Sequence, residues 1–259
     1  MQLFGIHTKL IKPGDNIVDA ILEAANGQKL TIADGDLLAI ASKVVATSQR
    51  RLKKLNSVKP SQEARKLADE YDLEPRFVEV VLREAETVYG GVPKALLTSK
   101  NDVLTPNAGV DQKNAPRGYV ALWPRNPHKT AEKIRKELFE KTGRRVGVLI
   151  IDSRITPLRM GTVGVAIGIS GFEPVRDYRT EKDVYGKSIS ITRHALADDI
   201  ASAAHLIMGE SNEQTPAVLV KNAPVKLSEK ADPYMMIIPK GQCLFASQLQ
   251  PKSKTCSRC

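Results

Sequence analysis

The 259-residue sequence predicts a mixed α/β (α+β) fold, because strand-like apolar runs and helix-period runs alternate along its whole length. Val146 to Ile151 is a continuous apolar, β-branched run of strand length. Thr130 to Thr142 carries a helical spacing of Ile134, Leu138 and Phe139, with Gly143 placed to end it. A chain of this size buries enough surface to fold without disulfides or a structural metal. Residues 1–250 read as one catalytic-size domain or two intimate subdomains, followed by a polar tail over 251–259.

Taken in order, Leu3 to Ile11 reads as a strand entering a turn at Lys12-Pro13-Gly14-Asp15. Asp15 or Asn16 then caps a helix from Ile17 to Ala25. Asp34-Gly35-Asp36 is a turn, and Leu37 to Val45 reads as a buried strand with Ser42 and Lys43 near its end. Lys43 in so apolar a run is a snorkelling edge residue or a cation aimed into a site. Ser61 caps a helix to about Tyr71, and Pro75 opens the next, with Phe77, Val80, Val81 and Leu82 inward. Tyr89 to Pro93 breaks the pattern. Strands at Ala95 to Thr98 and Val103 to Thr105 flank a hairpin turn at Lys100-Asn101-Asp102 and lead into Asn107-Ala108-Gly109-Val110-Asp111, with Asn114 beyond. Thr130 caps the amphipathic helix. After the Val146 strand come Asp152-Ser153-Arg154 and a run punctuated by Gly161, Gly164, Gly168 and Gly171, a spacing that lets backbone approach backbone or ligand closely. Arg176 to Lys187 is a charged loop, Ile189 to Thr192 a short strand, Ala195 to Met208 a helix packing Ala197, Ile200, Ala204 and Ile207, and Pro216 to Lys221 a last strand. There is no internal repeat.

Composition narrows the function classes. The formal net charge is +10, with 39 Lys and Arg against 29 Asp and Glu, which favours anionic partners such as nucleotides or acidic small molecules. Aromatics are only 5%, and no nucleic-acid-binding signature is present, so a nucleic-acid partner is disfavoured. Met1 to Lys9 has no apolar h-region, and no apolar run reaches membrane-spanning length, so a cytoplasmic protein without a membrane partner is expected. Three cysteines, two of them in a terminal CxxC at Cys256 and Cys259, make neither a disulfide framework nor a four-ligand zinc site.

The familiar motifs fail. Gly186-Lys187-Ser188 lacks the first glycine of a phosphate-binding loop, since Glu181 stands there. The four histidines are scattered, and His205 on its helix reads as packing. What survives is a set of carboxylates at the ends of regular elements, Asp111, Asp152 and Glu210. Oxygen ligands without nearby His or Cys select a hard cation, Mg²⁺ or Mn²⁺. Glu210, just past a helix C-terminus, opposes the helix dipole unless a cation compensates.

At these residues an ordered set of motifs emerges: NAGVDxxN at Asn107 to Asn114, DSR at Asp152 to Arg154, GTVGVAIGISG at Gly161 to Gly171, RxEKDVYGK at Arg179 to Lys187, and ADDIASAAHLIMGE at Ala197 to Glu210. The chain resembles the coenzyme F420-0:γ-glutamyl ligase family from Leu10 to about Val220. The resemblance implies a family-specific mixed α/β fold in an intertwined homodimer, and a GTP-dependent ligase that adds L-glutamate to a deazaflavin cofactor precursor. It implies two divalent-metal sites, one from Asp111 and Asp152, the other from Ser153 and Glu210, with K⁺ as a further candidate cation. Leu10, Ile11, Ser42, Lys43, Asn114, Met208 and Gly209 then fall at nucleotide positions, and Asp111, Asp152 and Arg154 at catalytic ones. The chain departs from the family at Asp152-Ser153-Arg154-Ile155-Thr156, where members carry an Asp-Thr-Asn-Gly-Arg-like run. It departs again at Ala46 to Arg51, where Thr47 replaces a second lysine. These departures leave as one alternative the same ligase scaffold acting on a different acid or amino acid; the basic charge and the polar tail leave another, a non-catalytic nucleotide- or nucleic-acid-binding protein.

Overall fold

The computed structural model describes residues 1–254, so the Cys256 and Cys259 pair lies outside the described residues. In chain order the elements are β1 (Gln2–Ile6), α1 (Ile17–Gly27), β2 (Leu37–Ala41), α2 (Ser42–Ser48), β3 (Leu52–Lys54), α3 (Gln62–Glu70), α4 (Pro75–Glu84), β4 (Thr87–Val92), β5 (Ala95–Lys100) and β6 (Val103–Pro106). Then follow β7 (Tyr119–Ala121), α5 (Pro127–Thr142), β8 (Gly147–Ile155), β9 (Thr162–Ser170), β10 (Arg176–Asp177), β11 (Arg193–His194), α6 (Leu196–Met208), β12 (Ala217–Lys221) and β13 (Ser253–Lys254). This is the mixed α/β content that the periodicity predicts.

The main sheet has the order β1-β12-β2-β8-β9, and only β2 and β8 run parallel. Period-two alternation sorts its side chains onto two faces. Leu38, Ile40, Val148, Ile150 and Leu219 face α1 and α5, packing on Ile21, Ile134 and Leu138. Leu37, Ala39, Leu149, Ile151 and Val218 face α6, packing on Ile200, Ala201 and Ala204. A sheet covered on both faces explains why Val146 to Ile151 is apolar without a break.

The glycine run is a packing device for helices. A Cβ built at Gly164 would stand 2.3 Å from the Ala201 carbonyl oxygen, and one at Gly168 2.6 Å from the Pro127 carbonyl group. Helices α6 and α5 therefore press their backbones onto β9 from opposite sides. The β8–β9 register shifts between Ile150 and Ile151, a bulge lying between Gly168 and Ala166.

A third apolar cluster lies away from that sheet. Leu67, Phe77, Val78, Val81, Val88, Leu96 and Val120 join α3 and α4 to the sheet β13-β4-β5-β6 and to the β3–β7 pair. Asn101 and Asp102, both at positive φ, make the β5–β6 turn expected of them.

Several local expectations are corrected. The Leu3 strand stops at Ile6 rather than Ile11. The predicted strand to Val45 ends at Ala41, and Ser42–Ser48 is a helix, since Ser42, Val45 and Ala46 are buried at helical spacing. A short apolar run cannot distinguish these two states by hydrophobicity alone. Asn126, not Thr130, precedes α5, and the Thr130 hydroxyl donates to the Arg125 carbonyl instead. Phe139 and Ile207 are exposed, because the inner stripes run through Ala131, Ile134 and Leu138 and through Ala197, Ile200, Ala204 and Met208. The stretch read as a breaker at Tyr89 to Pro93 mostly belongs to β4, with a bulge at Tyr89 that the glycines permit. The short strand lies at Arg193–His194, not Ile189 to Thr192. Among the described residues, no helix is long and apolar enough to cross a membrane.

Candidate active site

The parallel pair β2–β8 delivers the site. Both strands end in the same direction, so Ser42 and Lys43 after β2 stand beside Asp152 and Ser153 on β8. Strand β8 continues to Ile155, which places Asp152, Ser153 and Arg154 within it rather than beyond an abrupt end. A cavity of about 340 Å³ opens here. Leu10 and Ile11 line one side, Met208, Gly209 and Glu210 another, and Asn114 closes over the top by donating from its amide to the Ser211 carbonyl at 2.9 Å. Ten of the residues that the sequence puts forward therefore line one pocket. Asp111 stands just behind it, where its Oδ2 accepts from Lys43 Nζ at 2.7 Å. Arg154 lies outside the lining and pairs with Asp198 on α6, its Nη2 at 3.4 Å from Oδ2, while its buried Nε has no partner.

Local structure explains each placement. The backbone N–H and C=O of Asp111 pair with Ala121, fixing the carboxylate at the end of the Asn107 to Asp111 turn. Its Oδ1 accepts from the Lys113 N–H at 2.8 Å, an Asx-type turn that sends Lys113 back toward the pocket. Glu210 follows the α6 terminus at Gly209, whose φ of +71° lets the chain reverse there.

The pocket carboxylates differ in setting. Burial raises the Asp152 carboxyl above its ordinary range, against the opposing pull of the Trp123 indole N–H, the Ser153 backbone, Lys43 and the Ser42 hydroxyl. Burial also raises Glu210, but hydrogen bonds from Thr162 Oγ1 at 2.7 Å, Lys113 Nζ at 3.0 Å and His205 Nε2 at 2.8 Å outweigh it and bring the group to about 2. Lys113 is raised by the same bond to Glu210.

Asp111, Asp152, Glu210 and the Ser153 hydroxyl are oxygen donors of the kind that hard divalent cations take. Their positive neighbours are Lys43 and Lys113. Among the described residues, no three His, Cys, Asp or Glu side chains converge at ligand distance. The donor chemistry fits a divalent cation. It also leaves Asp152 with a burial cost that a cation would remove.

Sequence reading missed four contributors. His205, taken as packing, lines the pocket and orients Glu210; its spacing of five residues from Glu210 was a usable signal. Lys113 and Thr162 bind Glu210 from distant loops, which no local pattern reveals. Trp123 belongs to no motif of the sequence, yet its indole N–H donates to Asp152.

A family model described as F420-0:Gamma-glutamyl ligase matches residues 5–222. Among curated proteins, the coenzyme F420:L-glutamate ligase of Methanopyrus kandleri is 41% identical over 224 residues, covering 86% of this chain and 87% of that protein. Its namesake in Methanothermobacter thermautotrophicus is 37% identical over 226 residues, covering 86% and 90%. That of Archaeoglobus fulgidus is 37% identical over 216 residues, covering 83% and 85%.

Proposed function

The chain belongs to the F420-0:γ-glutamyl ligase family, and from that premise we propose that it joins L-glutamate to a deazaflavin cofactor precursor, coenzyme F420-0, through an amide bond, at the expense of GTP. The observation that carries this reading is the single pocket gathering Leu10, Ser42, Lys43, Asn114, Asp152, Ser153 and Glu210. One wall is apolar enough for a base, and the floor has a cation and oxygen donors suited to a phosphate chain.

In this reading the acceptor's carboxylate attacks the γ-phosphate of GTP, forming an acyl phosphate and releasing GDP. The amine of glutamate then attacks the acyl carbon and expels inorganic phosphate. Lys43 places its ammonium beside the phosphates and also holds Asp111 in place. The Ser42 hydroxyl fixes the Asp152 carboxylate, and Asn114 bridges to the 211–216 loop over the nucleotide. His205 and Thr162 hold Glu210 at the pocket's mouth. Asp111 and Asp152 on one side, and Ser153 and Glu210 on the other, would hold two divalent cations, Mg²⁺ or Mn²⁺, with K⁺ as a further candidate. When bound, such cations supply charge neutralisation on the transferring phosphoryl group. Arg154 enters only through Asp198 at the α6 N-terminus, and so serves the reaction by holding β8 against α6.

The reading extends to a cytoplasmic homodimer. Leu158 and Met160 on the β8–β9 turn and Val184 and Tyr185 in the 178–192 loop are almost fully exposed, apolar side chains that a second copy could cover. Sedimentation at micromolar concentration is expected to give twice the 28.4 kDa chain mass.

The test is mass spectrometry of products from protein, GTP, Mn²⁺, glutamate and the unglutamylated cofactor. A metal-dependent gain of glutamyl mass, with GDP released in step, is expected. Thr47 motivates a second reading. It lines the pocket where the family carries a lysine, and its hydroxyl donates to the Lys43 carbonyl, so the pocket is one cation poorer. An untouched cofactor with GTP and Mn²⁺ still bound would favour the same scaffold acting on another acid or amino acid. Neither conversion nor binding would end the enzyme reading.

A further inference from the structure

We propose that Trp123 is a positioning residue for Asp152, its indole N–H fixing one carboxylate oxygen so that the other faces the pocket as a cation ligand; this rests on the ligase reading above.

The sequence contains a single tryptophan, and it is 2% exposed. Indole is a donor only, and its one donor meets Asp152 Oδ2. The Ser153 backbone and the Ser42 hydroxyl also reach this carboxylate, which lines the cavity. A rigid side chain with one N–H aimed at a metal-ligating carboxylate is the kind of outer support that sets ligand orientation.

Three features seat the indole. A Cβ at Gly109 would lie 2.0 Å from the Trp123 Nε1, and Gly109 sits at φ +70°, so the NAG turn can lie flat against the donor edge only with glycine there. Arg51 Nε donates to the Trp123 carbonyl at 3.1 Å, while its Nη2 pairs with Glu84 at 2.7 Å. Lys100, buried and bonded to the same Glu84, stands 5.8 Å from the indole centroid. A largely covered ion triad, Glu84 from α4, Lys100 from β5 and Arg51 just before β3, thus grips the backbone and one face of the tryptophan. Asp111 and Trp123 are both placed by β7 and the residues around it, so the two carboxylates of one donor pair share a support. This gives the glycine of the NAGVD motif a physical reason that phosphate or backbone contact does not.

The test replaces Trp123 biosynthetically with β-(3-benzothienyl)alanine, which keeps the ring shape but puts sulfur in place of the N–H. Because the chain has one tryptophan, no other position changes. Mn²⁺ is titrated in the presence of GDP, with free Mn²⁺ read by electron paramagnetic resonance, for wild type, the isostere, Trp123→Phe and Asp152→Asn. The expected result is a rise of roughly tenfold or more in the apparent Mn²⁺ dissociation constant for the isostere and for Trp123→Phe. The isostere's thermal midpoint should stay near that of the wild type. Gly109→Ala should move the constant the same way. Mn²⁺ should also quench the wild-type indole fluorescence, and not that of Asp152→Asn. An isostere constant within about twofold of wild type, while Asp152→Asn binds poorly, would overturn the positioning role alone. If wild type and Asp152→Asn bind Mn²⁺ alike, the cation reading of the pocket falls and takes the positioning role with it.

Discussion

The floor and the rim of the pocket hold the same kind of group in opposite electrostatic states. At the floor, Asp152 is surrounded by strand, indole and hydroxyl, and burial raises its carboxyl despite every neighbour that opposes it. At the rim, Glu210 is reached by Lys113, Thr162 and His205, and is brought to about 2. The rim carboxylate is already compensated by protein groups, of which Lys113 and Thr162 are exposed and His205 is largely covered. The floor carboxylate has partners too, but they do not offset its burial, so an added cation would lower its energy most. The difference teaches that residues adjacent in one cavity need not contribute equally. Chemistry should depend steeply on the floor and shallowly on the rim.

That contrast can be broken by substitution. Asp152→Asn should have the largest effect, a loss of roughly 10²–10³-fold in kcat/KM, the scale of several kcal/mol of phosphoryl-charge stabilisation. Lys43→Met should follow, with a loss of roughly 10–100-fold, mostly as a raised KM for GTP, because one charge-assisted contact to phosphate is lost and Asp111 loses its partner. Lys113→Met at the rim should cost no more than about fivefold, since its pair with Glu210 is solvent-exposed. Steady-state kinetics with GTP, Mn²⁺ and glutamate measure all three. A rim effect as large as the floor effect would end the distinction.

Much of this arrangement was legible in the sequence, and the reasons are local. Asp111, Asp152, Ser153 and Glu210 each sit at or near the end of an apolar segment, where a polar residue is presented rather than packed. The strand Val146 to Ile151 and the helix Ala195 to Met208 carry their burial in their periodicity. The Ser42 to Ser48 helix was not legible, because four apolar or small residues after a strand satisfy either period until the tertiary contacts choose. Trp123 and Lys113 were not legible for another reason. Their roles depend on partners 29 and 97 residues away, Asp152 and Glu210.

Two further substitutions sharpen the comparison by leaving the pocket alone. Gly164→Ala should destabilise the fold by about 1–3 kcal/mol, because the added methyl meets the α6 backbone, which cannot move aside as a flexible side chain could. Denaturant unfolding measures it, and an unchanged midpoint would contradict the close helix–strand contact. The smallest effect is expected at His128. Burial pushes this ring below its ordinary value near 6.5, and its Nδ1 accepts from the Ile169 N–H at 3.1 Å, which requires the neutral form. The native state thus binds a proton less readily than the unfolded chain. The contribution is therefore present above 6.5 and is lost as pH falls through that value toward the folded one. His128→Asn, which keeps an acceptor but no titration, should flatten the stability profile between about pH 7 and pH 5.

The proposed chemistry activates a carboxylate as an acyl phosphate in this pocket before the amide forms. The most direct measurement uses acceptor labelled with ¹⁸O in its carboxylate and follows the label into inorganic phosphate by mass spectrometry. Transfer of one ¹⁸O per amide formed, abolished in Asp152→Asn, is the predicted result. Amide formed with unlabelled phosphate would contradict it.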